Sequence, residues 1–135
     1  MCRGGDPPIV TNVDGVTERN KRKVQLFVEA VWNEGRIELI DELVADDYVG
    51  RVPCVEGRVL GPSGMRRLVA GRRSALSGLH VKIDDQIAED DLVMTRWRAT
   101  IGHRTPCCAG ISIIRLLAGK QVDCHTEYTT VSEVS

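Results

Sequence analysis

The stretch 92–128 constrains the fold most, because three successive segments in it have strand character and are separated by turn residues. Segments 92–101 and 109–116 are rich in β-branched residues, and segment 121–128 alternates polar with apolar positions. Together they predict an antiparallel meander. Alternation puts Val93, Thr95, Trp97, Ala99 and Ile101 on one face and Met94, Arg96, Arg98 and Thr100 on the other. In the last segment Val122, Cys124, Thr126 and Tyr128 share the apolar side, opposite Asp123, His125 and Glu127. A sheet face this apolar needs a cover, which the N-terminal half of the chain supplies.

Thr17 stands in an N-cap position, and Val24, Phe27, Val28, Val31 and Trp32 follow at the spacing of a single helical stripe. Gly35 suits the left-handed conformation that ends such a helix. A short second helix is expected over 36–45, with Ile37, Ile40, Leu43 and Val44 on one side. Tyr48 and Val49 favour an extended chain that Pro53 limits, and Gly57 and Gly61 mark an irregular crossing. Pro62 and Ser63 open a third helix that Gly78 stops. Met65, Leu68, Val69, Arg72, Ala75 and Leu76 form its apolar side, and the arginines at 66, 67, 72 and 73 read as a solvated face. Residues 80–87 alternate weakly as one more strand. Helices first and strands after them indicate an α+β fold, the helices lying across one face of a curved antiparallel sheet. Residues 1–16, with Gly4, Gly5, Pro7, Pro8 and Gly15, read as a flexible N-terminal tail, and 17–135 as a single domain.

The 135 residues are enough for a core without disulfide or metal support. A net charge of −1 with 27% charged residues gives no electrostatic reason to expect nucleic acid or anionic membrane as partner. No apolar run approaches the roughly 20 residues of a membrane span and no secretory leader is visible, so a soluble cytoplasmic protein is expected. Five cysteines (Cys2, Cys54, Cys107, Cys108 and Cys124) are an odd number without repeated spacing, which argues for unpaired thiols over a disulfide framework. A site built from Cys107, Cys108, Cys124 and a histidine lacks structural-zinc spacing, so neither metal nor cofactor is expected.

Several stretches resemble the SnoaL-like polyketide cyclases, within the nuclear transport factor 2-like superfamily. They are Phe27-Val-Glu-Ala-Val-Trp-Asn-Glu-Gly35, Ile40-Asp-Glu-Leu-Val-Ala-Asp-Asp-Tyr-Val49, Gly61-Pro-Ser-Gly64 and Ile87-Ala-Glu-Asp-Asp-Leu-Val93. Arg96-Trp97, Gly102-His-Arg104, Gly110-Ile-Ser-Ile113 and Gly119-Lys120 complete a pattern running from about Asn20 to Thr129. The resemblance implies three helices on a strongly curved sheet forming a cone-shaped pocket, often paired as a homodimer through the sheet faces. It also implies a cofactor-independent isomerase, cyclase or hydrolase, since the superfamily holds all of these beside many members without known activity. The cyclases carry a pocket-facing His-x-Asp pair on the last strand, the aspartate serving as acid/base. Aligned from Gly119-Lys120 without gaps, those positions here are Cys124 and Thr126; a slip of one residue would instead offer His125 and Glu127. The strand's own periodicity favours the unslipped register. Between His103-Arg104 and Gly110-Ile111 only five residues, Thr105 to Ala109, remain where relatives have a longer hairpin, which implies a shallower, more open site.

Two candidates for chemistry are left. His103 shares the parity of Trp97 and Ile101 and is the candidate general base, with a rim histidine bonded to backbone or solvent as the plainer reading. Arg51 is the candidate anion stabiliser, or else pairs with Glu56 or Asp47. Trp32, Tyr48, Met65, Trp97, Cys124, Thr126 and Tyr128 are the expected ligand-binding residues, and four aromatics facing one cavity would suit a flat polycyclic or aromatic molecule. Cys124 lacks a base among its neighbours on the same face and is no nucleophile candidate. Two functions stay open: a small-molecule enzyme or binder with a hydrophobic pocket, and a non-catalytic homodimeric module that uses the outer sheet face, including Arg96, Arg98, His125 and Glu127.

Overall fold

In the computed structural model the described residues are 8–53, 55–102 and 105–130, with side chains described from residue 15. Helix α1 (Pro8–Leu26) runs directly into a π-helical turn (Phe27–Asn33). A 3₁₀ turn (Ile37–Leu39) and a short α2 (Ile40–Leu43) follow, then strands β1 (Val44–Arg51) and β2 (Val59–Leu60) and helix α3 (Gly61–Ala75). The chain ends in β3 (Leu79–Glu89), β4 (Leu92–Ile101), β5 (Thr105–Leu117) and β6 (Lys120–Thr130). The six strands form one sheet in the order β2-β1-β6-β5-β4-β3. This is the α+β fold expected from the order of the segments.

The start of the first helix, the end of the second and one strand pairing differ from expectation. α1 begins at Pro8, so residues 8–16 are helical and not tail, and Thr17 lies inside the helix instead of capping it. Proline is at home at the first helical position because its missing N–H is unpaired there anyway, and Ile9, Val13 and Val16 extend the apolar spacing upstream. Val44 and Ala45 belong to β1 and not to the second helix. β1 also pairs in parallel with β6, through Val44↔Gln121 and Gly50↔Cys124, while every other pair in the sheet is antiparallel.

The π-helical turn explains how one helix reaches two places. The Glu34 N–H donates to the Glu29 carbonyl, five residues back, at 3.1 Å. This wider winding turns Phe27, Val28 and Trp32 inward below the stripe that α1 presents. Its end is held by two side chains. Arg73 Nη1 donates to the carbonyls of Trp32 and Asn33 at 2.7 and 2.9 Å. Asn33 in turn exchanges two hydrogen bonds with the backbone of Val81 on the edge strand β3. Gly35, at φ +75°, passes so close that a Cβ there would lie 2.9 Å from the Arg73 guanidinium.

Burial divides into two clusters. Phe27, Val31, Ile40, Leu43, Val44, Tyr48, Val59, Met65 and Val69 pack the helices against β1 and β2. Val24, Val93, Ile114 and Leu116 pack α1 against the meander. Cys124 touches both. Register shifts in all four long strand pairings bend the strands around this seam. One of them sits in β6: Leu116 faces Gln121 and Arg115 faces Asp123, which leaves Val122 without a partner.

Candidate functional site

Between the helices and the inner sheet face lies a cavity of about 140 Å³. Each wall follows from a local periodicity. The π-helical turn supplies Phe27, Val28 and Trp32, and α3 supplies Met65, Leu68, Arg72 and Leu76 at helical spacing. β4 supplies Thr95, Trp97 and Ala99, β5 supplies Cys108, Ser112 and Ile114, and β6 supplies Cys124, Thr126 and Tyr128, each at alternate positions. Gln121 joins them out of step, because the unpaired Val122 shifts the alternation by one. Parity alone had placed Val122 on this face; the bulge puts Gln121 there instead.

Gly110 makes the aromatic wall possible. It lies directly between Trp97 and Tyr128 in the cross-strand row. A Cβ at Gly110 would come within 2.7 Å of both side chains, so only glycine lets the two rings meet over the strand, with centroids 6.1 Å apart.

Four of the cavity's polar side chains bond to one another. Trp97 Nε1 donates to Ser112 Oγ at 3.1 Å, Ser112 Oγ and Thr126 Oγ1 are 2.7 Å apart, and Cys124 Sγ lies 3.4 Å from Thr126 Oγ1. The acidic groups here keep their protons near neutral pH. Burial pushes the Cys124 thiol up, and burial with Cys124 beside it pushes the Tyr48 phenol far above its usual range. Burial, reinforced by Cys107, moves Cys108 up to about 11. None of the three is a base or a thiolate nucleophile at pH 7.

Arg72 is the charged side chain among the described lining residues. Its Nη1 donates to Tyr128 Oη at 3.2 Å and its Nη2 to the Pro53 carbonyl at 3.5 Å, with the guanidinium carbon 5.9 Å from the Tyr128 ring centroid. Tyr128 Oη donates to the same carbonyl at 3.4 Å. Reading Arg72 as part of a solvated face was therefore wrong. Its place in the Met65, Leu68, Leu76 register was the signal that it turns inward.

Of the residues singled out in the sequence, Trp32, Tyr48, Met65, Trp97, Cys124, Thr126 and Tyr128 are brought together around this cavity. Arg51 is not. It is exposed on the outer face, in register with His125, because Tyr48 and Gly50 take the inward positions of β1. Among the described residues it forms no ion pair with Glu56 or Asp47. His103, with Arg104, Cys2 and Cys54, lies outside the described residues. Cys107, Cys108 and Cys124 gather no further ligand: among the described residues no group of three His, Cys, Asp or Glu side chains is placed to hold a metal ion. No described helix is long and apolar enough to cross a membrane.

The model of the SnoaL-like polyketide cyclase family matches residues 22–126, which include every cavity-lining residue named here except Tyr128. The chain belongs to the SnoaL-like polyketide cyclase family. Among curated proteins none matches it. Solved structures agree on the fold. A candidate SnoaL-like isomerase from Agrobacterium tumefaciens superposes with a TM-score of 0.73 at 15% identity, covering 83% of this chain and 98% of that one. A candidate polyketide cyclase from Acidithiobacillus ferrooxidans gives 0.73 at 22% identity over 82% and 87%. IdmH from Streptomyces antibioticus, another candidate polyketide cyclase, gives 0.69 at 20% over 81% and 91%.

The inward positions of the last strand are Cys124 and Thr126. His125 and Glu127 point outward and bond to each other, His125 Nε2 to Glu127 Oε2, at 2.8 Å. On the last strand the described wall of the cavity thus carries a thiol and a hydroxyl, while the imidazole of His125 and the carboxylate of Glu127 face away from it.

Proposed function

We propose that this protein binds a compact, largely apolar metabolite about one ring in size in the cone of its SnoaL-like fold. The observation that carries this is the cavity itself. Its roughly 140 Å³ lie below the ~300 Å³ at the low end of drug-sized ligand sites. They are close to the roughly 150 Å³ of an apolar cavity that takes up benzene. A single aromatic or alicyclic ring fits where a polycyclic skeleton does not. Binding is favoured over turnover by the absence, among the described lining residues, of a carboxylate or imidazole to move a proton. Cyclisation or isomerisation of a bound ring would need a base from elsewhere, and His103 is the sequence candidate for it.

The test is a thermal melt with saturating toluene, compared with an Ala99→Phe variant whose added ring occupies the cavity. The expected result is a rise in the melting temperature of the natural chain and none in the variant. No rise with toluene or any other single-ring compound would refute the pocket.

The outer sheet face favours self-association as a second property. Ile87, Met94, Ile111 and Ile113 are exposed in adjacent cross-strand rows, with relative exposures of 68, 42, 43 and 41%. Charged residues flank them: Arg96 pairs with Asp85, and Arg98 pairs with Asp84 at 2.8 and 2.9 Å. An apolar strip rimmed by charge is the composition of an isologous dimer surface.

A further inference from the structure

We infer that the metabolite carries a carboxylate, and that Arg72 holds it at the Tyr128 end of the cavity. This rests on the pocket reading above and narrows it to a class of ligand, the small aromatic or alicyclic monocarboxylic acids.

The inference begins with a contrast along α3. Arg66 has its counter-ion in Asp41, and Arg73 has two backbone carbonyls at 2.7 and 2.9 Å. Arg72 has neither. It is half-buried against an apolar cavity, and among the described residues no carboxylate pairs with it. Its two acceptors are neutral, and at 3.2 and 3.5 Å they are at the long end of hydrogen-bond distances. A guanidinium drawn out of water without a counter-charge is costly, and the cost is recovered when an anion enters with a hydrogen bond to each prong of the fork.

Two further features agree. The oxygens now facing the fork sit one on Nη1, from Tyr128, and one on Nη2, from Pro53. That is the two-oxygen arrangement a carboxylate presents to an arginine. No aspartate or glutamate lines the described cavity to repel an incoming anion, and Cys108, the thiol nearest the guanidinium's influence, stays protonated. Deeper in, the walls offer Met65, Leu68, Trp97 and Ile114, surfaces suited to the hydrocarbon body of such an acid.

The experiment is a calorimetric titration at about pH 7.5 with three probes that differ only in the group on the ring: benzoate, benzamide and toluene. It is run on the natural chain, on Arg72→Met and on Arg72→Lys, with circular dichroism to confirm folding. Benzoate is expected to bind roughly tenfold or more tightly than benzamide to the natural chain, the scale of a charge-assisted hydrogen bond. That preference should vanish in Arg72→Met while toluene still binds, and survive in part in Arg72→Lys, which keeps the charge but loses the fork. Equal binding of benzoate and benzamide to the natural chain overturns the carboxylate inference and leaves the pocket standing. So does a preference that persists in Arg72→Met. If none of the three probes binds, the pocket reading falls and the inference with it. Should Arg72→Met not fold, the benzoate to benzamide ratio in the natural chain and in Arg72→Lys decides.

Discussion

On the inner face of β6, Cys124 and Thr126 sit among apolar side chains with their polar atoms turned to each other. One residue along, on the outer face, His125 and Glu127 bond across 2.8 Å in full contact with solvent. The same strand thus carries two chemistries, and water decides which is which. Charge is cheap where solvent reaches it, whereas on the inner side ionisation of an acid is penalised. The outer pair has the composition of an acid/base dyad but faces away from the cavity. Parity, and not composition, therefore decides which of the two pairs faces the cavity.

Placing charge on the wrong side of β6 is expected to have the largest effect. Cys124→Asp buries a carboxyl at a position that, among the described residues, no basic side chain is bonded to, and should destabilise the fold by about 3 kcal/mol or more near pH 8, measured by urea unfolding. The sign with pH follows from burial. The carboxyl's folded-state pKa is raised, so the folded state binds more protons than the unfolded one and stability falls as pH rises. The penalty should shrink at about pH 5, where the carboxyl is largely neutral in the folded state. A penalty that is the same at both pH values would mean that Cys124 faces solvent.

A smaller effect is expected from Gly110→Val, which forces side-chain atoms between Trp97 and Tyr128. The overpacking should cost about 2 kcal/mol and shift the Trp97 emission as its ring leaves Tyr128, while leaving the outer face unchanged. An unshifted emission would show that the two rings do not depend on Gly110. The smallest effect belongs to the outer pair. Glu127→Ala should change stability by no more than about 0.5 kcal/mol, because an exposed pair contributes little. In the same face, Ile111→Glu should lower the mass in solution to that of a monomer without unfolding the chain, as light scattering would read.

Much of this was legible before any coordinates. The alternation in β4 identified Val93, Thr95, Trp97 and Ala99 as inward-facing, and the alternation in β6 separated Cys124 and Thr126 from His125 and Glu127. Those readings succeed because a strand's side chains have only two directions. The failures have separate causes. Arg51 was misplaced because the parity of β1 is set by its pairing with β6, not by its own short and weakly patterned sequence. Gln121 was missed because a single unpaired residue reverses parity without leaving a sequence signature. Arg72 was read as solvated because charge was allowed to outweigh its position in an apolar register. Glycine and proline in residues 1–16 suggest a tail, yet proline also begins helices, and α1 starts at Pro8.

The parallel pairing of β1 with β6 also has a consequence for how the molecule assembles. Residues 44–51 must find residues 121–125 across most of the chain, whereas β3 to β6 are neighbours that can zip together through short turns. The hairpins are therefore free to form early, and the seam between the chain's two halves closes late, after the loop-closure entropy of the long connection has been lost. Tyr48 and Met65 belong to that seam, so the cavity is expected to be completed late in folding. A ligand held in that cavity is therefore expected to slow unfolding and to leave the folding rate unchanged, which stopped-flow mixing would read.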